Sequence, residues 1–159
     1  MIKLRDILNE VGEGTATPYK FKYMPLKGDS VRNKLRHAYR FITDSRLQYE
    51  VNVFKIIPRY TENTTLTVMF SVVGGKYEDI TNKGEQYKIM ATVIDIIKAD
   101  IELLAKEGNP PVKMIEFTPE KADATDNRRA KFYKAYIQKQ LPNAHVDSYN
   151  FGEYYRITL

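Results

Sequence analysis

The sequence contains no cysteine and no tryptophan, and none of its apolar runs approaches the ~20 residues that a membrane-spanning helix requires. The absence of cysteine excludes disulfide bonds and thiolate zinc sites, and it fits a reducing compartment. The first residues, MIKLRD, lack the apolar core of a secretory signal peptide. We therefore expect a cytosolic protein with no membrane partner.

Apolar and charged residues occur in the proportions of a folded domain. Hydrophobic residues make up 43% of the 159 residues and charged residues 28%, which is typical of a globular chain rather than a disordered one. No repeat, low-complexity tract or long linker divides the sequence, so we predict a single domain over 1–159. The formal net charge of +5 favours anionic partners only mildly.

The first half of the chain is patterned mainly as strands. Apolar residues alternate with polar ones, which is the period of a half-buried strand. The clearest signal is a hairpin, because Asp44-Ser45 supplies turn residues between two alternating runs. The predicted segments are a helix over 2–11, strands over 18–24, 37–42, 47–57 and 64–73, and a polar, basic loop over 25–36.

The period changes to that of a helix after Gly74-Gly75. Six residues fall on one helical face, namely Met90, Val93, Ile94, Ile97, Ile101 and Leu104. Asn82 and Glu85 form a capping box at the start of this helix. The remaining predicted segments are this helix over 84–107, a strand over 112–117, a helix over 125–141, and strands over 144–149 and 153–159. We expect an α+β fold with a mixed, mainly antiparallel sheet and packed helices, in the order α-β-β-β-β-α-β-α-β-β.

This order of elements resembles the GCN5-related N-acetyltransferase fold, and one stretch of sequence resembles the late helix of that family. The stretch is Asn127-Arg128-Arg129-Ala130-Lys131-Phe132-Tyr133-Lys134, which shares the family's asparagine, alanine and aromatic-tyrosine pattern. The resemblance implies that Asn127 contacts coenzyme A and that Tyr133 is the general acid. It also implies acetyl-coenzyme A as the cofactor.

The pyrophosphate-binding turn of that family is incomplete in this sequence. In the family, small residues at the start of the long helix let backbone N–H groups reach the phosphates, helped by the helix dipole. Gly84 can stand for the first glycine of the turn, and Lys83 adds a favourable charge. However, Gln86 brings bulk where the family has a small residue, and Glu85 brings a negative charge. This departure argues against a bound cofactor.

Three phrases resemble those of small proteins from tailed bacteriophages: FITDS at 41–45, NKGEQYKIMATV at 82–93 and FTPEK at 117–121. The resemblance implies a viral source, with a place in the virion or in the bacterial host cytoplasm. Together with the incomplete turn, it gives our first hypothesis, a non-enzymatic protein without a cofactor that binds a viral or host protein. The second hypothesis is an acetyl-coenzyme A-dependent N-acetyltransferase.

A third hypothesis, nucleic-acid binding, comes from the basic residues between positions 20 and 40. Aromatic residues interleave with them, and such a combination can contact phosphates and stack on bases. The same pattern also fits a solvated loop between strands whose tyrosines face the core, which is the interpretation we favour. If nucleic acid binds, the contacts would come from Lys27, Arg32, Lys34, Arg36 and Arg40.

A metal site is not expected. The two histidines, His37 and His145, lie far apart in the sequence, and no cysteine accompanies them. The sequence also lacks a P-loop and a Gly-x-Ser-x-Gly elbow. Thiolate metal sites, P-loop phosphate binding and serine-hydrolase chemistry are therefore not predicted.

Overall fold

The chain folds into a sheet with helices packed on it. A computed structural model describes residues 17–25, 36–56, 63–74, 83–118, 134–139, 142–149 and 154–159. In these ranges the strands are β1 (Phe21–Met24), β2 (Arg36–Ile42), β3 (Gln48–Ile56), β4 (Thr64–Val72), β5 (Val112–Thr118), β6 (His145–Tyr149) and β7 (Tyr154–Thr158). The helices are α1 (Lys83–Lys106) and α2, of which residues 134–139 are described.

The seven strands form one mixed sheet in the order β1-β2-β3-β4-β5-β7-β6. Neighbouring strands are antiparallel except β4 and β5, which are parallel and are joined by α1, as a crossover between parallel strands requires. The predicted α+β class and the mixed, mainly antiparallel sheet are confirmed. The helix predicted over 2–11 lies outside the described residues.

The β2–β3 hairpin forms where alternating strands meet turn residues. Asp44-Ser45 occupies the turn, and Arg46 follows it with a φ of 69°, a left-handed conformation that closes the hairpin. The resulting register places Phe41 opposite Tyr49. Because side chains alternate along a strand, this register turns every second residue of both strands to the same face of the sheet.

The core lies between that face of the sheet and α1. The predicted apolar face of α1 is confirmed, since Met90 and Val93 are fully buried and Ile94 and Ile97 nearly so. These side chains pack with core residues of three central strands, namely Val51, Val53, Leu66, Val68, Ile115 and Phe117. Burying each such side chain stabilises the fold by roughly 1.5–3 kcal/mol. Among the described residues, no helix is both long and apolar enough to cross a membrane.

A row of aromatic rings runs across the core face of the sheet. Successive ring centroids lie 5.3 to 6.3 Å apart from Tyr19 through Phe41, Tyr49 and Phe70 to Phe117. Ring pairs at this distance contribute about 0.5–1.5 kcal/mol beyond the area that they bury. Of the aromatic residues that interleave with lysines before and within β1, Tyr19 and Phe21 pack against the core, whereas Tyr23 is 42% exposed.

The opposite face of the sheet, here called the open face, points away from α1. It consists of the residues that alternate with the core-facing ones, namely Lys22, Met24, Arg36, Ala38, Arg40, Ile42, Gln48, Glu50, Asn52, Phe54, Ile56, Thr65, Thr67, Met69 and Ser71 in the first four strands. Three of its apolar side chains are about half exposed: Ile42 at 56%, Ile56 at 50% and Met69 at 48%. The helix α2 packs on the core face of the sheet, because Ile137 lies among core residues of α1 and β5.

Candidate functional site

The turn that starts α1 is the site implied by the acetyltransferase resemblance. Lys83 and Gly84 are the first residues of the helix, close to the predicted start. Asn127 and Tyr133, the other two residues implied by that resemblance, lie outside the described residues. The described part of this site consists of the first turns of α1 and the elements that they contact.

Glu85, in the first turn of α1, reaches across to the turn of the β2–β3 hairpin. Its Oε1 accepts a hydrogen bond from the Ser45 backbone N–H at 2.5 Å, and its Oε2 accepts one from the Ser45 hydroxyl at 2.7 Å. Glu85 is only 7% exposed. Hydrogen bonds to a carboxylate are roughly twice as strong as neutral ones, and the dipole at a helix N-terminus favours an anion.

The capping-box prediction stays a prediction, because its partner Asn82 lies outside the described residues. The structure adds a contact that the local pattern does not reveal, since both Glu85 oxygens bind Ser45, which lies 40 residues earlier in the sequence. The hairpin brings two donors from one residue to the helix start.

A second group of contacts joins the same hairpin to the next turn of α1. The Lys88 Nζ lies 3.2 Å from Asp44 Oδ2 and 4.9 Å from the centroid of the Tyr19 ring. The Tyr19 hydroxyl donates to Asp44 Oδ2 at 3.3 Å, and its backbone N–H donates to the Thr92 hydroxyl at 2.8 Å. Partial burial raises the pKa of the Tyr19 hydroxyl. The start of α1 is thus bordered by two carboxylates, those of Glu85 and Asp44.

Of the five residues predicted to contact nucleic acid, the described ones are Arg36 and Arg40. Both lie in β2 on the open face, and Arg40 is paired across the strands with Lys22 of β1. Arg40 is also engaged by Glu50, with Nη2 2.9 Å from Oε2. Hydrogen bonds from the Asn52 amide and from Arg40 lower the pKa of Glu50. Lys27, Arg32 and Lys34 lie outside the described residues.

The structure also brings together a buried polar cluster that the sequence analysis missed. His37 Nδ1 lies 2.7 Å from Asp100 Oδ1, and the Tyr39 hydroxyl donates to the same oxygen at 2.7 Å. His37 is 5% exposed and Asp100 1%. At the edge of the cluster, Glu107 Oε1 lies 3.9 Å from His37 Nε2. The other carboxylate oxygen of Asp100 is buried and has no partner among the described residues.

The electrostatics of this cluster centre on His37. The hydrogen bond to Asp100 raises the pKa of His37, although burial acts in the opposite direction. The charge of Glu107 adds to the increase, and Lys55 opposes it. Burial and Asp100 also raise the pKa of the Tyr39 hydroxyl, which therefore stays protonated and donates its hydrogen bond. The cluster can exchange one proton, at His37, while it holds α1 against β2.

A sequence signal for this cluster does exist. Asp100 lies on the same helical face as Val93, Ile96 and Leu104, all of which are buried. A carboxylate within an apolar helical face needs a buried partner, since burial of an unpaired charge is costly. The alternation of β2 turns His37 to the core, so the partner could have been sought there.

Neither a metal-binding cluster among the described residues nor a known relative adds to these observations. Among the residues that the structure describes, no group of three or more histidine, aspartate or glutamate side chains could hold a metal ion. Comparison with known proteins gives no match, whether to family models, to curated proteins or to solved structures. The geometry of the described residues is therefore the basis for a functional proposal.

Proposed function

We propose that this chain is a non-enzymatic protein that binds a viral or host protein and neither holds a cofactor nor transfers acetyl groups. The order of strands, with a single parallel pair joined by α1, supports an acetyltransferase-like scaffold. The phrases at 41–45, 82–93 and 117–121 support a bacteriophage source, and with it a place in the virion or the bacterial host cytoplasm.

The observation that carries this proposal is the buried Glu85 carboxylate at the start of α1. A pyrophosphate placed there would meet this negative charge, whereas the Asp44 carboxylate nearby is paired with Lys88. Two unit charges 4 Å apart repel by about 4 kcal/mol at an effective dielectric constant of 20. The favourable interaction at a helix N-terminus, typically about 0.3–1 kcal/mol, does not offset this repulsion. The hydrogen bonds to Ser45 also hold the carboxylate in place.

The open face supports protein binding. Ile42, Ile56 and Met69 expose apolar surface on it, and the cross-strand ion pair of Arg40 with Glu50 lies between Ile42 and Met69. Apolar side chains bordered by charged ones are typical of a protein interface, where a few central side chains supply most of the binding energy. Met69 lies in β4, a central strand, and is therefore the side chain that we expect a partner to cover.

Substitution of Met69 tests this proposal. The tagged chain is recovered from cross-linked cells of its natural setting, and co-recovered proteins are quantified. Met69→Lys should lower recovery of a specific partner at least tenfold, as expected for a central interface residue. Gln138→Lys, which adds the same charge on the exposed side of α2, is the matched control. Equal recovery with both variants, or no specific partner at all, would contradict the proposal.

A second candidate, nucleic-acid binding, is favoured by one observation. Lys22, Arg36 and Arg40 share the open face at the β1–β2 side of the sheet. Fluorescence anisotropy with a single-stranded oligonucleotide over a range of salt concentrations tests it, because phosphate contacts weaken steeply as salt increases. Our leading proposal expects no complex at physiological salt. A tight, salt-sensitive complex that Arg36→Glu with Arg40→Glu weakens, and that Lys106→Glu does not, would replace it.

A further inference from the structure

An apolar cavity of about 70 Å³ lies between α1, α2 and the β5–β7 part of the sheet. Its wall is built largely of isoleucine side chains from all four elements, among them Ile94, Ile97, Ile115, Ile137 and Ile157. Protein interiors leave few voids larger than a water molecule. A cavity with an apolar wall stays dry, and such cavities bind small apolar molecules.

One charged side chain stands at the edge of this cavity. Lys98 is the charged member of the lining, and its side chain is exposed. It forms no ion pair with any described residue. Leu159 also lines the cavity, is 42% exposed and donates a hydrogen bond from its backbone N–H to the Lys113 carbonyl at 3.0 Å. The cavity therefore combines an apolar interior with a cation at its rim that pairs with no described residue.

We propose that this cavity binds the alkyl chain of a small monocarboxylate and that Lys98 pairs with its carboxylate. An apolar wall selects for the chain, and the unpaired ammonium selects for a negative head group rather than a positive or neutral one. The volume is smaller than the roughly 150 Å³ of an engineered cavity that binds benzene, which favours a short chain over a whole lipid. This site is separate from the open face and does not depend on the proposed partner.

The test is a titration of the full chain with small ligands, monitored by NMR of ¹³C-labelled isoleucine δ1 methyl groups. The probes are hexanoate, hexylammonium with the same chain and the opposite charge, and acetate with the head group alone. Hexanoate should shift the methyl signals of Ile94, Ile97, Ile115, Ile137 and Ile157 saturably, with a dissociation constant on the order of 1 mM for so small a ligand. The methyl groups of Ile42 and Ile56, on the open face, should not move.

Two variants and one control distinguish the contribution of the apolar cavity to binding from that of Lys98. Lys98→Glu should weaken hexanoate binding about two- to fivefold, the range of an exposed ion pair, and should make hexylammonium the better ligand. Lys106→Glu, an equal charge change on the same helix outside the cavity lining, should leave binding unchanged. Ile97→Phe should fill the cavity and abolish the shifts, with the Ile42 and Ile56 signals reporting whether the fold is kept.

Several results would overturn the proposal. Absence of saturable shifts at the cavity methyl groups would remove the site. Equal binding of hexanoate and hexylammonium by the natural chain would remove the role of Lys98 and with it the choice of a carboxylate. Acetate shifting the same signals would show that no alkyl chain is needed. If Ile97→Phe fails to fold, the comparison of Lys98→Glu with Lys106→Glu still tests the proposal. Both positions are exposed, so neither substitution disturbs the core.

Discussion

Two positions along α1 are fastened to the β2–β3 hairpin by carboxylates, and the two contacts differ in kind. In its first turn, Glu85 binds Ser45 of the hairpin turn through donors that keep their protons at every physiological pH. Further along, Asp100 binds His37 and Tyr39 of β2, and its hydrogen bond raises the pKa of His37 above the ordinary value. The same helix is therefore joined to the same hairpin by one contact whose donors do not titrate and by another that contains a titratable histidine.

The two carboxylates also differ in what supports them. Glu85 lies at a helix N-terminus, where the helix dipole stabilises an anion. Asp100 lies in the body of the helix, at 1% exposure, and one of its oxygens has no partner among the described residues. Asp100 therefore depends more heavily on its side-chain partners than Glu85 does. Substitution of Asp100 should therefore lower the free energy of unfolding more than substitution of Glu85.

The largest effect is expected at Asp100. Asp100→Ala removes the acceptor shared by His37 and Tyr39, and breaking a buried pair of this type costs about 3–5 kcal/mol of unfolding free energy. Asp100→Asn is the matched control, because it keeps one oxygen acceptor, and it should cost less. Urea denaturation measures both. If Asp100→Ala destabilises the fold no more than Glu85→Ala does, Asp100 does not depend more heavily on its partners than Glu85.

A smaller effect is expected at Glu85. Glu85→Ala deprives the Ser45 amide and hydroxyl of a charged acceptor, which should cost about 1–3 kcal/mol. Ser45→Ala removes the hydroxyl hydrogen bond and keeps the amide one, so it should cost about half as much. Chemical denaturation of both variants checks this order. A Ser45→Ala cost equal to that of Glu85→Ala would mean that the backbone contact contributes nothing.

The pH dependence of stability distinguishes the two contacts. His37 has a pKa above its ordinary value of 6.5 because it hydrogen-bonds Asp100, so folding favours the protonated form. Its contribution is fully present below the unfolded-state pKa and is lost as the pH rises through the folded-state pKa. The natural chain should therefore lose stability as the pH rises above about 6.5, and His37→Gln should remove that part of the slope. Ser45→Ala should leave the slope unchanged.

The smallest effect is expected on the open face. Arg40 and Glu50 form an ion pair whose side chains are 37% and 28% exposed. Arg40→Ala should therefore cost less than about 1 kcal/mol, as for most solvent-exposed pairs. Thermal unfolding at low and high salt measures the loss and its screening. A loss as large as that of Glu85→Ala would show that this face contributes to the fold as strongly as the first turn of α1.

Much of the fold could be predicted because its signals are local. The alternation in β2 and β3 and the helical period over Met90, Val93 and Ile97 each identify an element and its buried face. The polar contacts could not be predicted in the same way. Glu85 and Ser45 are 40 residues apart, and His37 and Asp100 are 63 apart, so each pairing exists only once the strands have taken their register. The local pattern at the start of α1 points to donors of its own helix and gives no sign of the Ser45 donors that the tertiary fold brings to Glu85.

Calorimetric titration with acetyl-coenzyme A is the most direct test of the central claim that the start of α1 is closed to anions. We expect no saturable heat at tens of micromolar, because the Glu85 carboxylate in the first turn of α1 would repel a pyrophosphate placed there. Saturable heat with the natural chain, lost on Gly84→Trp, would contradict the account and would establish coenzyme A binding at this turn.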